Sequence, residues 1–164
     1  MERIALRLRE FVVATDEYRK AMATAAGMGT NEATTLGEIL HQGPLPPSAL
    51  VKRLGITSAS VTALLDRLEA AGMVERRAHD TDRRSVLVSL TARGHGVVST
   101  MFAMFDADVM SAVREASPEH IAEFSAVLGR ISAGLRARAH DADSIVATLS
   151  DGSRTRPSGS PEIG

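Results

Sequence analysis

Residues 55–94 bring together side chains that can bind a polyanion, in the order expected of a helix followed by a hairpin. The helical part supplies small and hydroxylated residues, and the hairpin supplies arginines beside aspartates. A helix in the major groove, with a cationic hairpin reaching the neighbouring minor groove, can read duplex DNA. The segment, together with Ser48 shortly before it, therefore predicts a DNA-binding surface formed by Ser48, Ser58, Ser60, Thr62, Arg67, Arg76, Arg77, Asp82, Arg83 and Arg84.

The helix at the centre of this surface is predicted from its ends and its apolar spacing. Thr57 or Ser58 caps its start, and Gly72 follows its last residue, Ala71. Outward residues near the start are small, which lets a helix enter a groove without steric conflict. The inward stripe, expected to be buried, consists of Val61, Leu64, Leu65 and Leu68.

A two-turn helix over residues 49–54 is expected just before it, with Ser48 as its cap and Gly55 as its end. The amino end of that helix can also receive a phosphate. The remaining elements are strands over residues 73–77 and 85–90, and helices over residues 2–26, 32–42, 92–113 and 118–140. The fold class is therefore mainly α with a small two-stranded β-wing (α+β).

The flanking helices carry more apolar surface than one small core can cover. They either form a helical subdomain or interlock with a second copy of the chain. We favour a homodimer, because a single DNA-binding lobe of this size has a small footprint. The Ser-, Gly-, Pro- and Arg-containing tail over residues 141–164 is expected to be largely disordered.

Composition narrows the class of protein further. The 164 residues contain no cysteine, which excludes disulfides and thiolate metal sites. The formal net charge is −1, but residues 48–95 hold eight basic and five acidic residues, so positive charge is concentrated there. The five histidines are scattered without metal-ligand spacing. We expect no cofactor and no metal, and, without a signal-peptide core or a membrane-length apolar run, a cytoplasmic protein.

The run from Gly43 to Gly94 closely resembles the MarR family of bacterial transcriptional regulators. The resemblance rests on Gly43-Pro44-Leu45, Leu50 to Gly55, Leu65 to Glu69 with Gly72, Asp82-Arg83-Arg84, and Leu90 to Gly94. It implies one domain over residues 1–140, with a winged helix-turn-helix lobe at about 32–94 and dimerisation helices at about 2–26 and 95–140. It also implies a repressor that binds a pseudo-palindromic operator as a homodimer, and release of DNA by a small, often phenolic or anionic, ligand.

The resemblance also assigns roles to individual residues. Arg84 is expected to enter the minor groove, where narrow stretches concentrate negative potential, and Asp82 is expected to hold the wing. Arg83 would touch phosphate or pair with an acidic residue. Two positions depart from the family: Ala63 stands where a basic residue is frequent, and Val51 where a smaller residue is usual.

Several assignments keep an alternative. Ser60 and Thr62 either face DNA or bond to their own helix. Arg67 either contacts phosphate or pairs with another helix. Strand alternation sends Arg76 and Arg77 to opposite faces, so only one of them is expected to face DNA.

A ligand cleft would be lined by residues that could equally form ordinary core: Phe11, Tyr18, Leu36, Ile39, Leu40 and Val98. The alternative function is a winged-helix module that binds protein without specific DNA binding. An enzyme is not expected, because the chain has no Gly-rich phosphate loop and no nucleophile elbow.

Overall fold

The computed structural model describes residues 2–78, 86–141, 144–146 and 148–149. Six helices and two strands follow one another in this part of the chain. Their bounds are α1 Glu2–Ala25, α2 Thr30–Gln42, α3 Pro47–Leu54, α4 Ser58–Ala70, β1 Val74–Ala78, β2 Val86–Leu90, α5 Ala92–Ala112 and α6 Pro118–Ala139. Each differs from its sequence prediction by at most two residues, and the mainly α fold with a two-stranded wing is confirmed.

One hydrophobic core joins α2, α3, α4 and the sheet. The predicted inward stripe of α4 is buried as expected, and Leu36 and Leu50 are fully buried beside it. Burial of each such side chain contributes about 1.5–3 kcal/mol, so this core holds the lobe together. The complete buried cluster is Leu36, Ile39, Leu50, Val61, Leu64, Leu65, Leu68, Met73, Val74, Val88 and Val98.

The wing strands β1 and β2 pair antiparallel, with Val74 opposite Leu90 and Arg76 opposite Val88. Leu45, before α3, adds a short bridge: its N–H donates to the Val88 carbonyl at 3.0 Å, and its carbonyl accepts from the Val88 N–H at 2.8 Å. This bridge ties the α2–α3 connection, and with it the amino end of the short α3, to the sheet.

A close backbone approach fixes the start of α5. Thr91 caps this helix, since its hydroxyl oxygen accepts from the Gly94 N–H at 3.0 Å and donates to the Gly72 carbonyl at 2.6 Å. A Cβ at Gly94 would lie 1.9 Å from the Met73 carbonyl oxygen. Only glycine fits there, so α5 packs directly on the backbone that leads into the wing.

The structure corrects the expected cap of α3. Ser48 is not the cap: the helix begins at Pro47, the N-cap position is Pro46, and no side chain caps it. Proline suits the first helical position because its φ is already helical and its missing N–H would have no helical partner. Ser48 is therefore the second residue of α3, with an exposed side chain.

The chain forms two compact units, Met1–Val109 and Met110–Gly164. In the first, α1 exposes large apolar side chains, including Phe11 and Val12. In the second, α6 has no buried residue. No helix in the described ranges is long and apolar enough to cross a membrane.

Candidate nucleic-acid interface

The helix-turn-helix is built by α3, a three-residue turn and α4. Gly55 ends α3 in the left-handed conformation, with φ 64°, which glycine adopts without the steric cost of a Cβ. Thr57 then caps α4, because its hydroxyl oxygen accepts from the Ser60 N–H at 3.1 Å. Of the two predicted caps, Thr57 is the one used, and Ser58 is the first helical residue. The turn therefore directs the amino end of α4 outward.

The two faces of α4 differ sharply. Its inward face lies in the core, and its outward face presents Ser58, Ala59, Thr62 and Ala63, all exposed. None of these side chains is longer than threonine. The first two turns of α4 can therefore approach another surface closely, since no long side chain has to be displaced.

The hydroxyls on this face also bond locally. Ser60 Oγ lies 2.9 Å from Thr57 Oγ1, and Thr62 Oγ1 donates to the Ser58 carbonyl at 3.0 Å. The Thr62 bond is the back-bonding that the sequence left open as an alternative. Both hydroxyls keep acceptor capacity, and both residues are exposed.

Arg67 pairs with another helix, the alternative left open for it. Its Nε donates to Glu32 Oε1 of α2 at 2.7 Å. The other carboxylate oxygen, Oε2, accepts from the Gly29 N–H at 2.8 Å. Burial alone would raise the pKa of Glu32, but the bonds from Gly29 and Arg67 outweigh it and lower the pKa below its ordinary value. Glu32 thus links the α1–α2 turn to α4.

Arg76 and Arg77 have different partners. Arg76 Nη2 donates to Asp66 Oδ1 at 2.6 Å, and Nη1 donates to the Glu69 carboxylate, so the guanidinium bridges two acids of α4. The bond to Asp66 is the main reason that the pKa of Arg76 is raised. Arg77 pairs with Glu75 on its own strand. The side chain of Arg77 is 68% exposed and that of Arg76 is 30% exposed, so Arg77 is the more accessible cation.

Three predicted wing residues, Asp82, Arg83 and Arg84, lie outside the described residues. Ser48 lies in the first turn of α3. The predicted DNA-binding residues that the structure describes therefore lie in two places. One is the first turns of α3 and α4, and the other is the region where charged side chains of α4 and β1 meet.

A cavity of about 250 Å³ lies beside the winged lobe, between α1, α2 and α5. Of the residues predicted for a ligand cleft, Tyr18 and Val98 line it. Leu36 and Ile39 belong to the buried core, Leu40 packs against that core, and Phe11 is exposed. The other wall residues are Thr15, Arg19, Met22, Ala33, Thr34, Met101, Phe102 and Phe105.

Tyr18 is the most distinctive side chain of this wall. Its ring meets Phe105 edge to face, with centroids 5.8 Å apart. Its hydroxyl oxygen is buried and has no hydrogen-bond partner among the described residues. Desolvation, reinforced by the charge of Asp108, raises the pKa of Tyr18, so the phenol is neutral at pH 7. The wall is thus apolar with one buried hydroxyl.

In the described ranges, no three His, Asp or Glu side chains are grouped as a metal site.

Sequence reasoning missed two features of these sites. Glu32 was not singled out, although its place three residues after Gly29 is that of a capping-box glutamate, which marks a structured helix start. Phe102 and Phe105, which line the cavity, were not among the residues predicted for a ligand cleft. Helical spacing shows that such residues share a face, but it does not show whether a neighbouring helix fills the space in front of them.

Comparisons with known proteins find similarity to bacterial transcriptional regulators. Residues 26–85 match the model of the MarR family. The uncharacterized HTH-type transcriptional regulator YcgE of Bacillus subtilis (strain 168) is 28% identical over 131 residues, which are 79% of this chain and 85% of YcgE. The transcriptional repressor MprA of Escherichia coli (strain K12) is 41% identical over 83 residues, 48% of this chain and 46% of MprA.

Solved structures share the fold. A MepR mutant from S. aureus, bound to an oligodeoxyribonucleotide, superposes with a TM-score of 0.59 at 22% identity, over 80% of this chain and 97% of that chain. The fold and the α3–α4 geometry define a winged helix-turn-helix protein. The family model identifies residues 26–85 as a MarR-family segment, and the relatives that the chain resembles are named as transcriptional regulators or repressors.

Proposed function

We propose that this protein is a sequence-specific repressor that binds a pseudo-palindromic operator as a homodimer in the cytoplasm and has no enzymatic activity. The observation that carries the proposal is the outward face of α4, which is small and hydroxylated where a capped helix projects from a rigid core. The similar protein MprA is named as a transcriptional repressor, which supports repression rather than activation.

The contacts proposed for DNA fall into two groups. Ser58, Ser60 and Thr62 on α4 read base edges or bind phosphates in the major groove, where hydroxyls can serve either partner. Ser48, in the first turn of α3, binds a phosphate together with the helix dipole. In the wing, Arg77 binds phosphate and Arg84 enters the minor groove, with Asp82 and Arg83 supporting it.

The dimer is proposed from apolar side chains that a single chain leaves in water. Phe11 and Val12 on α1 are 51% and 57% exposed, and Phe124 and Leu135 on α6 are 56% and 65% exposed. Large exposed apolar patches mark interaction surfaces. A second copy of the chain covers them, which also doubles the DNA footprint.

The effector is proposed to be a small aromatic molecule that enters the cavity beside Tyr18. The aromatic edge of Phe105 and the sulfurs of Met22 and Met101 suit an apolar ring. The buried Tyr18 hydroxyl offers it one hydrogen bond, and Arg19, which also lines the cavity, is paired with Asp16 at 2.9 Å. Benzoate is a suitable first probe, with Tyr18→Phe as the variant that removes only the hydroxyl.

The test is selection of bound duplexes from a random DNA pool at two salt concentrations. The expected result is an inverted repeat with half-sites about one helical turn apart, roughly 34–36 Å. Binding that is equally strong for all sequences and lost at high salt would remove the specific-regulator proposal. No binding at either concentration would favour the protein-interaction module instead.

A further inference from the structure

The Arg76 guanidinium makes the most extensive ion-pair arrangement of the described lobe. It donates to Asp66 at 2.6 Å and also to the Glu69 carboxylate. Asp66 and Glu69 are three residues apart on α4, so they stand next to each other on the helix surface. Arg76 comes from β1, the first strand of the wing. One side chain of the wing therefore covers two acids of the helix that carries the proposed DNA contacts.

The charges of Asp66 and Glu69 matter because α4 is proposed to approach the phosphates of DNA. Asp66, Arg67 and Glu69 are the charged residues of α4, and Arg67 is engaged with Glu32. The side chains of Asp66 and Glu69 are 59% and 40% exposed. A bare carboxylate about 8 Å from a phosphate is expected to weaken binding about twofold in water at low salt. Two uncovered acids would therefore weaken DNA binding measurably.

The geometry points to Arg76 as a positioning residue for DNA binding rather than a phosphate contact: it neutralises the carboxylates of Asp66 and Glu69 on α4. This inference rests on the proposed function. Both Nη atoms are directed at α4, and the side chain is less exposed than that of any other ion-paired arginine among the described residues. The inference also separates the two neighbouring arginines, because it leaves Arg77 as the strand's phosphate contact.

The experiment measures the dissociation constant for the selected duplex over a range of salt concentrations. Arg76→Gln is expected to weaken binding about fivefold at low salt, because two acids are uncovered. Adding Asp66→Asn and Glu69→Gln removes the repulsion, so this triple variant is expected to bind within about twofold of wild type. It is also expected to keep the wild-type slope of log affinity against log salt concentration, because a slope change of about 0.9 marks one lost phosphate contact.

Arg77→Gln with the same two acid substitutions is the matched control, because it changes the same charges. Its salt slope is expected to fall by about 0.9. If the Arg76 triple variant stays as weak as Arg76→Gln and loses slope, Arg76 is a phosphate contact and the inference is overturned. If it stays weak with an unchanged slope and a lowered melting temperature, Arg76 has only a structural role, which also overturns the inference.

The failure of the proposed function would look different. In that case the wild-type protein itself enriches no duplex, and neither arginine variant changes its behaviour towards DNA. A wild-type protein that binds its selected duplex while the Arg76 triple variant is not rescued refutes the positioning role alone.

Discussion

The winged lobe and the flanking helices use apolar residues in opposite ways. In the lobe, Leu36, Leu65 and Val88 are at most 1% exposed. On α1 and α6, side chains as large as Phe11, Phe124 and Leu135 are more than half exposed. All of them follow the same helical or strand periodicity in the sequence. Amphipathic spacing therefore shows which face of an element is apolar. Only the tertiary structure shows whether another part of the same chain covers that face.

This contrast has an energetic consequence. A core side chain already contributes its burial energy in one chain, whereas an exposed one contributes only when a second molecule covers it. We therefore expect substitutions in the lobe to act at any protein concentration. Substitutions on α1 and α6 are expected to act through association.

The largest effect is expected at the junction between the wing and α5. Gly94→Ala places a methyl group 1.9 Å from the Met73 carbonyl oxygen. One of the two backbone segments would have to move to relieve this clash, and both are held by neighbouring structure. We expect a loss of about 4 kcal/mol in the free energy of unfolding, measured by urea denaturation. Gly96→Ala is the control in the same helix, because nothing lies within 4 Å of its Cβ position. If Gly94→Ala has the same free energy of unfolding as wild type, the close approach of the Gly94 and Met73 backbones is contradicted.

Leucine truncation compares the two regions directly. Leu65→Ala leaves a cavity in the lobe core and is expected to cost about 3 kcal/mol, independent of protein concentration. Leu135→Ala on α6, where the side chain is 65% exposed, is expected to cost less than about 0.5 kcal/mol at a concentration where the chain is monomeric. Equal losses for the two variants in dilute protein would remove the distinction between the regions.

A charge on α1 is expected to break association without unfolding the lobe. Phe11→Asp puts a carboxylate into the proposed dimer surface, and we expect the dimer dissociation constant to rise about thirtyfold or more. Analytical ultracentrifugation measures it. Lys52→Asp, also exposed but on α3, is the control and should leave the dimer intact. A wild-type chain that is monomeric at all concentrations would refute the dimer.

The smallest effect concerns the link between the α1–α2 turn and α4. The pKa of Glu32 is lower in the folded protein than the ordinary value of 4.5, so its ionised form stabilises the fold. That stability is present above pH 4.5 and is lost as the pH falls through the folded pKa. Glu32→Gln keeps an acceptor for Gly29 but loses the charge, and is expected to cost about 1 kcal/mol at pH 7.

The matched comparison for Glu32→Gln is Glu38→Gln, which breaks the Arg53–Glu38 pair between α2 and α3. The Glu38 side chain is 31% exposed and that of Glu32 is 12% exposed, so the effect at Glu38 should be smaller. Chemical denaturation from pH 7 to pH 3 measures both. The difference between wild type and Glu32→Gln should disappear at the acid end, and a constant difference would contradict the ionic origin.

Much of the fold was predictable from local rules. The stripe of α4 and the glycine stops at Gly55 and Gly72 each follow from residue type and spacing within one element. The cap of α3 was not, because Ser48 and Pro47 both suit a helix start and the backbone decided between them. For the candidate site, the residue types were predictable, but their partners were not.

The sequence by itself determined the elements, their apolar faces and the family resemblance, because these depend on neighbours a few residues apart. Only the tertiary structure decided that Arg67 pairs with Glu32, 35 residues earlier in the chain, and that Arg76 rather than Arg77 covers the acids of α4. It also decided that α2 and α5 leave a cavity beside Tyr18. Such pairings depend on which surfaces meet once the elements pack, and chain packing is set by the whole core rather than by local spacing.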